Sequence, residues 1–151
     1  MWMMPTQREK FQAKLRLKAK AEGFYVQLVR LKAPRAQGEM EEESSNVMAY
    51  RLVRNTHNRN VSEEIKPWQI FRLKAVANEG LPDDWCWKQG ERALNQAQLA
   101  VLSRVIEQLP MDVVALESTP VTVTAYWKEN SGEEQLAVIK GALAQLLQEN
   151  V

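Results

Sequence analysis

The N-terminal architecture turns on residues 11–33, FQAKLRLKAKAEGFYVQLVRLKA, which admit two readings. Phe11, Ala13, Leu15, Leu17, Ala19 and Ala21 alternate with Gln12, Lys14, Arg16, Lys18 and Lys20. Period-two alternation is the signature of a half-buried strand. Phe24 to Ala33, rich in aromatic and β-branched residues, predicts a second strand. Glu22-Gly23 would then close a two-residue hairpin in which Ala21 faces Phe24, Ala19 faces Val26 and Leu17 faces Leu28. The opposite face would carry Lys14, Arg16, Lys18 and Lys20 across from Leu31, Val29, Gln27 and Tyr25. Glu22 is a poor first turn residue, because the type I′ geometry needs positive φ at both central positions. The competing reading is a helix. Ala, Lys, Leu and Arg all favour one, and it would gather Phe11, Leu15 and Ala19 into a narrow stripe.

Charge makes this segment more than a question of fold. The 151-residue chain carries 20 Lys and Arg against 19 Asp and Glu, a net of +1. Residues 1–35 hold nine of the basic residues and only Glu9 and Glu22, a balance of +7; the remainder has 11 basic against 17 acidic, or −6. Asymmetry of this kind points to a polyanion, since each Lys or Arg that neutralises a phosphate releases condensed counterions. A basic face with an aromatic ring suits phosphate contact combined with base stacking, which nominates Lys14, Arg16, Lys18, Lys20, Tyr25, Arg30 and Lys32 as a nucleic-acid-binding set. The competing account is a solvated face balanced by acidic neighbours in the fold.

Past Pro34 the chain reads as an acidic exposed loop over residues 36–46, with Glu39, Glu41, Glu42 and Glu43 ahead of Ser44-Ser45-Asn46. Val47 to Arg54 predicts a strand and Asn55 to Asn60 a polar turn holding His57. Pro67 to Asn78 predicts a short helix, from Pro at a first helical position and Gly80 beyond the end. Trp85-Cys86-Trp87 reads as a loop, either an aromatic docking platform or two anchors over the core. A helix follows over Glu91 to Leu109, stopped by Pro110, then strands over Asp112 to Leu116 and Val121 to Trp127. Ser131 and Glu134 form a capping-box pattern ahead of a last helix with Leu136, Ile139, Leu143, Leu146 and Leu147 on one face. Gly141 inside that helix suggests a close approach there. Arg-Leu-Lys-Ala recurs at Arg16, Arg30 and Arg72, which either lines a sheet face with cations or reflects composition alone.

Element order and length predict a single α+β domain over residues 1–151, with a largely antiparallel sheet packed by two to three helices. If residues 11–21 are helical, the ends read helix–strand–strand and strand–helix, an order that resembles a double-stranded-RNA-binding module with an insertion. Gly132-Glu133-Glu134 is acidic where such a module presents a basic cluster, so the resemblance implies no function. With 45% hydrophobic and 26% charged residues the composition excludes collagen-like and wholly disordered classes. The sequence has no apolar run of membrane-spanning length, and the single cysteine predicts a reducing, cytoplasmic setting. One His and one Cys leave nucleophile–base pairs and metal sites short of parts; His57 is the one distinctive catalytic candidate. No Gly-rich phosphate loop, CxxC, HExxH or GxSxG pattern occurs. The expected function is therefore a small non-enzymatic nucleic-acid-binding or nucleoprotein accessory protein, without cofactor. The alternative is a protein–protein adaptor or subunit of a larger assembly that docks a protein partner, or a second copy as a homo-oligomer, through its last helix or the Trp85/Trp87 loop.

Overall fold

In the computed structural model, residues 3–35, 44–55 and 65–151 are described. The first element is a helix: α1 spans Gln7–Ala21. The N-terminal hairpin expected from the alternation is thus corrected, and the local chemistry explains why. Thr6 caps α1, its side chain accepting from the Glu9 N–H at 3.1 Å. At the other end Phe24 N–H donates to Ala19 O and Gly23 N–H to Lys20 O, with Gly23 at φ +101°. These are the two bonds of a Schellman C-cap, so Gly23 ends a helix where the hairpin reading had it turn a strand. Of the alternating apolar residues only Leu15 and Ala19 are buried, with Phe11 partly so; Leu17 stays 71% exposed.

Among the described residues the six strands are β1 (Tyr25–Lys32), β2 (Ser44–Val53), β3 (Trp68–Phe71), β4 (Cys86–Gln89), β5 (Val113–Ser118) and β6 (Thr122–Trp127). They form one sheet in the order β1-β2-β6-β5-β3-β4. Every pairing is antiparallel. Two further helices, α2 (Gln96–Gln108) and α3 (Gln135–Gln148), complete the α+β fold. The helix–strand–strand start and strand–helix end are both present.

Three other expectations are corrected. Residues 68–71 of the segment predicted as a helix are strand β3, because Trp68, Ile70 and Phe71 are buried between β4 and β5, where a strand satisfies the backbone on both sides. Residues 44–46 of the acidic loop already belong to β2, paired with Lys32, Leu31 and Arg30; residues 36–43 lie outside the described residues. The Ser131/Glu134 capping box does not form. Ser131 Oγ instead accepts from Trp127 Nε1 at 3.3 Å, and α3 begins only at Gln135. The capping box that does form is Asn95 with Gln98, at the start of α2.

One face of the sheet is the main core. Tyr50, Trp68, Ile70, Leu116, Val123, Ala125 and Trp127 meet Leu15 and Ala19 of α1, Val101 to Ile106 of α2, and Leu136 to Leu146 of α3. The other face carries a smaller cluster, Leu31, Val47, Ala49, Phe71, Cys86, Ala115 and Tyr126, packed against Leu73 and Ala75 of the β3–β4 connection. Among the described residues no helix is long and apolar enough to cross a membrane.

Gly141 is also corrected: it sits mid-helix on an exposed surface with no atom within 4 Å of a built Cβ, so no close approach requires it. The two glycines therefore predict opposite effects. Gly141→Ala should raise stability by about 0.5–1 kcal/mol, through helix propensity and a less flexible unfolded chain. Gly23→Ala should lower it by about 1 kcal/mol, because alanine must take the left-handed cap geometry. Urea denaturation monitored by circular dichroism measures both.

Candidate functional site

α1 carries Arg8, Lys10, Lys14, Arg16, Lys18 and Lys20 against Glu9 alone. The fold uses two of these six cations internally. Arg16 donates through Nε to Glu129 Oε2 at 2.8 Å and through Nη2 to Oε1 at 2.7 Å, a two-pronged pair that links α1 to the turn after β6. Tyr50 of β2 donates its hydroxyl to the same carboxylate at 2.5 Å. Glu129 is 2% exposed and sits at φ +62°, a left-handed conformation that costs a non-glycine residue about 1–2 kcal/mol. The carboxylate hydrogen bonds and ion pair hold it there. Lys18 meets Glu133 at 3.1 Å, a half-exposed pair of small energetic weight.

The remaining cations of α1 stand outside these pairs. Lys10, Lys14 and Lys20 are exposed, and no ion-pair partner occurs for them among the described residues. At 100° per residue Lys10, Lys14 and Leu17 fall on the side of α1 opposite Leu15 and Ala19, so they face solvent by construction. Arg8, at the start of the helix, donates through Nη2 to the Lys128 carbonyl at 3.3 Å. It opens onto a cleft of about 300 Å³ whose polar lining is Arg8, Gln12, Arg16, Asn46, Lys128, Glu129 and Asn130. Arg30 pairs with Asn46 across β1 and β2, on the sheet face that also carries the cleft residue Leu28. Arg8 and Lys128 bring cations to the cleft lining, and the one carboxylate in that lining, Glu129, is already engaged by Arg16.

The seven nominated residues are thus divided. Lys14, Lys20 and Arg30 are exposed on or beside α1 and the cleft; Arg16 and Lys18 are committed to Glu129 and Glu133. Lys32 is exposed at the end of β1. Tyr25 is 66% exposed, but strand alternation puts it, opposite Arg51, on the sheet face away from the helices. The coplanar Lys and Tyr face expected of the hairpin does not exist. Arg8 and Lys128 join the set, and no sequence spacing points to Lys128, which enters only because β6 ends beside the start of α1.

The repeated Arg-Leu-Lys-Ala segments serve unrelated purposes. Arg16 pairs with Glu129, Arg30 is exposed, and Arg72 donates to Val113 O at 3.0 Å and Pro110 O at 3.1 Å while lying 4.7 Å from the centre of the Trp85 ring. The three segments lie on α1, on β1 and just after β3, so they do not line one sheet face with cations. Trp85 and Trp87 are core anchors, 2% and 4% exposed, and Cys86 and Trp87 open strand β4, so both the loop and the docking-platform readings of this segment are corrected. The Trp87 indole N–H is satisfied by Glu79 O at 2.8 Å. Cys86 is a buried free cysteine, and burial pushes its thiol pKa up, away from reactivity. The apolar face of α3 is likewise filled from within: Leu136, Ile139, Ala142, Leu143 and Leu146 are all buried. Among the described residues no group of three or more His, Cys, Asp or Glu could hold a metal ion. His57 lies outside the described residues.

No family model, curated protein or solved structure matches this chain.

Two predictions follow from the Glu129 node. Glu129→Ala should lower stability by roughly 3 kcal/mol, since it strands the Arg16 guanidinium and the buried Tyr50 hydroxyl together. The double variant Arg16→Leu/Glu129→Leu should recover part of that loss in equilibrium unfolding, because no charge is then left behind. The second is a pH effect. Burial, and then the Glu129 carboxylate, hold the Tyr50 phenol above its ordinary value of about 10. Above that pH the unfolded state has released the proton and the folded state has kept it, so stability falls as pH rises. Between pH 10 and 11.5 the wild-type slope should be more negative than that of Tyr50→Phe, by about 0.7 kcal/mol per pH unit at pH 10 and rising to about 1.3 by pH 11.5. Equal slopes would contradict it.

Proposed function

We propose that this protein binds the phosphate backbone of nucleic acid through α1 and the cleft beside it, as a non-enzymatic accessory component of a nucleoprotein complex in the cytoplasm. One observation carries the reading: after the internal pairs are made, α1 still holds Arg8, Lys10, Lys14 and Lys20 against Glu9. These side chains are exposed on a helix anchored by Leu15 and Ala19, so their positive charge is held in place for a partner. Arg8 and Lys128 of the cleft, with Arg30 exposed on the adjoining β1, offer direct phosphate contacts, and Gln12, Asn46 and Asn130 offer neutral hydrogen-bonding groups in the cleft. The reading is affinity for the phosphate backbone, with a strong dependence on salt.

Fluorescence anisotropy with labelled single-stranded and duplex oligonucleotides across a salt titration tests it. Affinity should fall linearly on a log–log plot. The Lys10→Gln/Lys14→Gln/Lys20→Gln variant, which touches no ion pair, should reduce the slope by about two to three, at about 0.9 per duplex contact and 0.7 per single-stranded one. Unchanged affinity in a variant that folds normally would overturn the proposal. Arg16 and Lys18 are unsuitable positions for this test, because substitution there also removes the pairs with Glu129 and Glu133.

A further inference from the structure

The two edges of the sheet are not alike. β4 is four residues long and meets β3 with a register shift. β1 is eight residues long, pairs with β2 through every position from Tyr25 to Lys32 without a bulge, and has no strand on its outer side among the described residues. Long, regular edges present a row of open backbone groups and are usually blunted by bulges or short length.

The direction of those groups follows from two backbone hydrogen bonds. Arg54 N–H donates to Val121 O, which sets the alternation along β2, and Phe24 N–H turns away from β2 to Ala19 O. Continued along the pairing register, Tyr25, Gln27, Val29 and Leu31 bond to β2, and the N–H and C=O groups of Val26, Leu28 and Arg30 point outward. Beside them Leu28 is 63% exposed, and an open groove of about 620 Å³ is lined by Lys20, Gly23, Phe24, Tyr25, Val26 and Gln27.

We infer that β1 is a docking edge for an extended acidic segment of a partner protein, which adds to the sheet as a further strand. Backbone pairing supplies the affinity in this mode, and side-chain pockets and charge supply the selection. The charge is decided by what flanks the edge: Lys20 at one end and Arg30 towards the other, with Arg8 and Lys128 around the neighbouring cleft. The same charge argues against a second copy as occupant. Pairing β1 with β1 would bring two α1 helices together, each with an excess of unpaired cations, and like charges so placed repel. An oligonucleotide fits the charge but cannot match the alternating N–H and C=O groups at the strand repeat of about 3.3 Å.

The test uses nuclease-treated full-length protein and a fluorescein-labelled peptide of alternating Glu and Val as long as β1. Binding should be at least about tenfold weaker when Lys replaces Glu. N-methylation of the peptide amides that face β1 should weaken it at least about tenfold, whereas N-methylation of the alternate amides should leave it within about twofold. Leu28→Pro, which removes an outward N–H without touching the β2 ladder, should abolish binding; if that variant does not fold, the two N-methylated peptides decide. No binding, equal binding of the Lys peptide, or indifference to N-methylation in both registers would overturn the inference. So would a wild-type dimer by light scattering that blocks the peptide, which assigns the edge to a second copy. Oligonucleotide binding that persists while the peptide fails would overturn this inference alone.

Discussion

The Glu129 carboxylate is the point on which the N-terminal half of the fold depends. It receives both prongs of the Arg16 guanidinium and the Tyr50 hydroxyl, and so ties α1, β2 and the turn after β6 together at one buried site. Charges are taken out of water only where geometry and partner count compensate for the lost hydration, and here every charged group is met. Around it the packing is aromatic: Tyr50 lies edge-on to Phe24 at 5.9 Å and to Trp127 at 5.2 Å. Asp112 fixes the same turn from the other side, accepting from Trp127 Nε1 and from the backbone N–H groups of Asn130 and Ser131. The turn after β6 is thus determined by two carboxylates, and this lets Glu129 hold a backbone conformation unfavourable to its residue type.

A second node does similar work at the far end of β2. Arg54 is buried, and burial pushes its pKa down to about 10. Its guanidinium is met by Thr119 O, Ser118 Oγ and Val151 O, so the end of β2, the β5–β6 turn and Val151, three residues beyond α3, converge on one side chain. Arginine suits this position because a fork of donors can satisfy several carbonyls at once. Among the described residues, the basic side chains include two contrasting sets, besides those in surface ion pairs such as Lys18 with Glu133. Arg16, Arg54 and Arg72 act as internal connectors, while Arg8, Lys10, Lys14, Lys20 and Arg30 remain on the surface.

The division explains what could be read from the sequence. The strands at β1, β5 and β6, the body of β2, both later helices and the antiparallel α+β class follow from periodicity, because there the buried face and the local propensity agree. The segment 11–21 misleads because alternation of Ala and Leu with Lys and Arg satisfies a strand template while the residue types satisfy a helix; burial of Leu15 and Ala19 alone, one turn apart, resolves it. Gly23 carried the relevant signal as a helix C-cap. β3 was obscured by Pro67, which suits a helix start as well as the approach to a strand. The charge asymmetry located the candidate surface, but could not separate Arg16 and Lys18 from Lys14 and Lys20. That distinction depends on Glu129 and Glu133, more than a hundred residues away in sequence.

The net charge of +1 conceals a fold that pairs part of its basic segment with Glu129 and Glu133 and leaves the rest outward. The most direct test is an amide chemical-shift map recorded while an unlabelled oligonucleotide is titrated into the isotopically labelled protein. Perturbations should concentrate at residues 8–20, at Arg30 and at Lys128, with β3, β4 and α2 unmoved. A map centred on α2 or on the β3–β4 connection, or no perturbation at low salt, would contradict it.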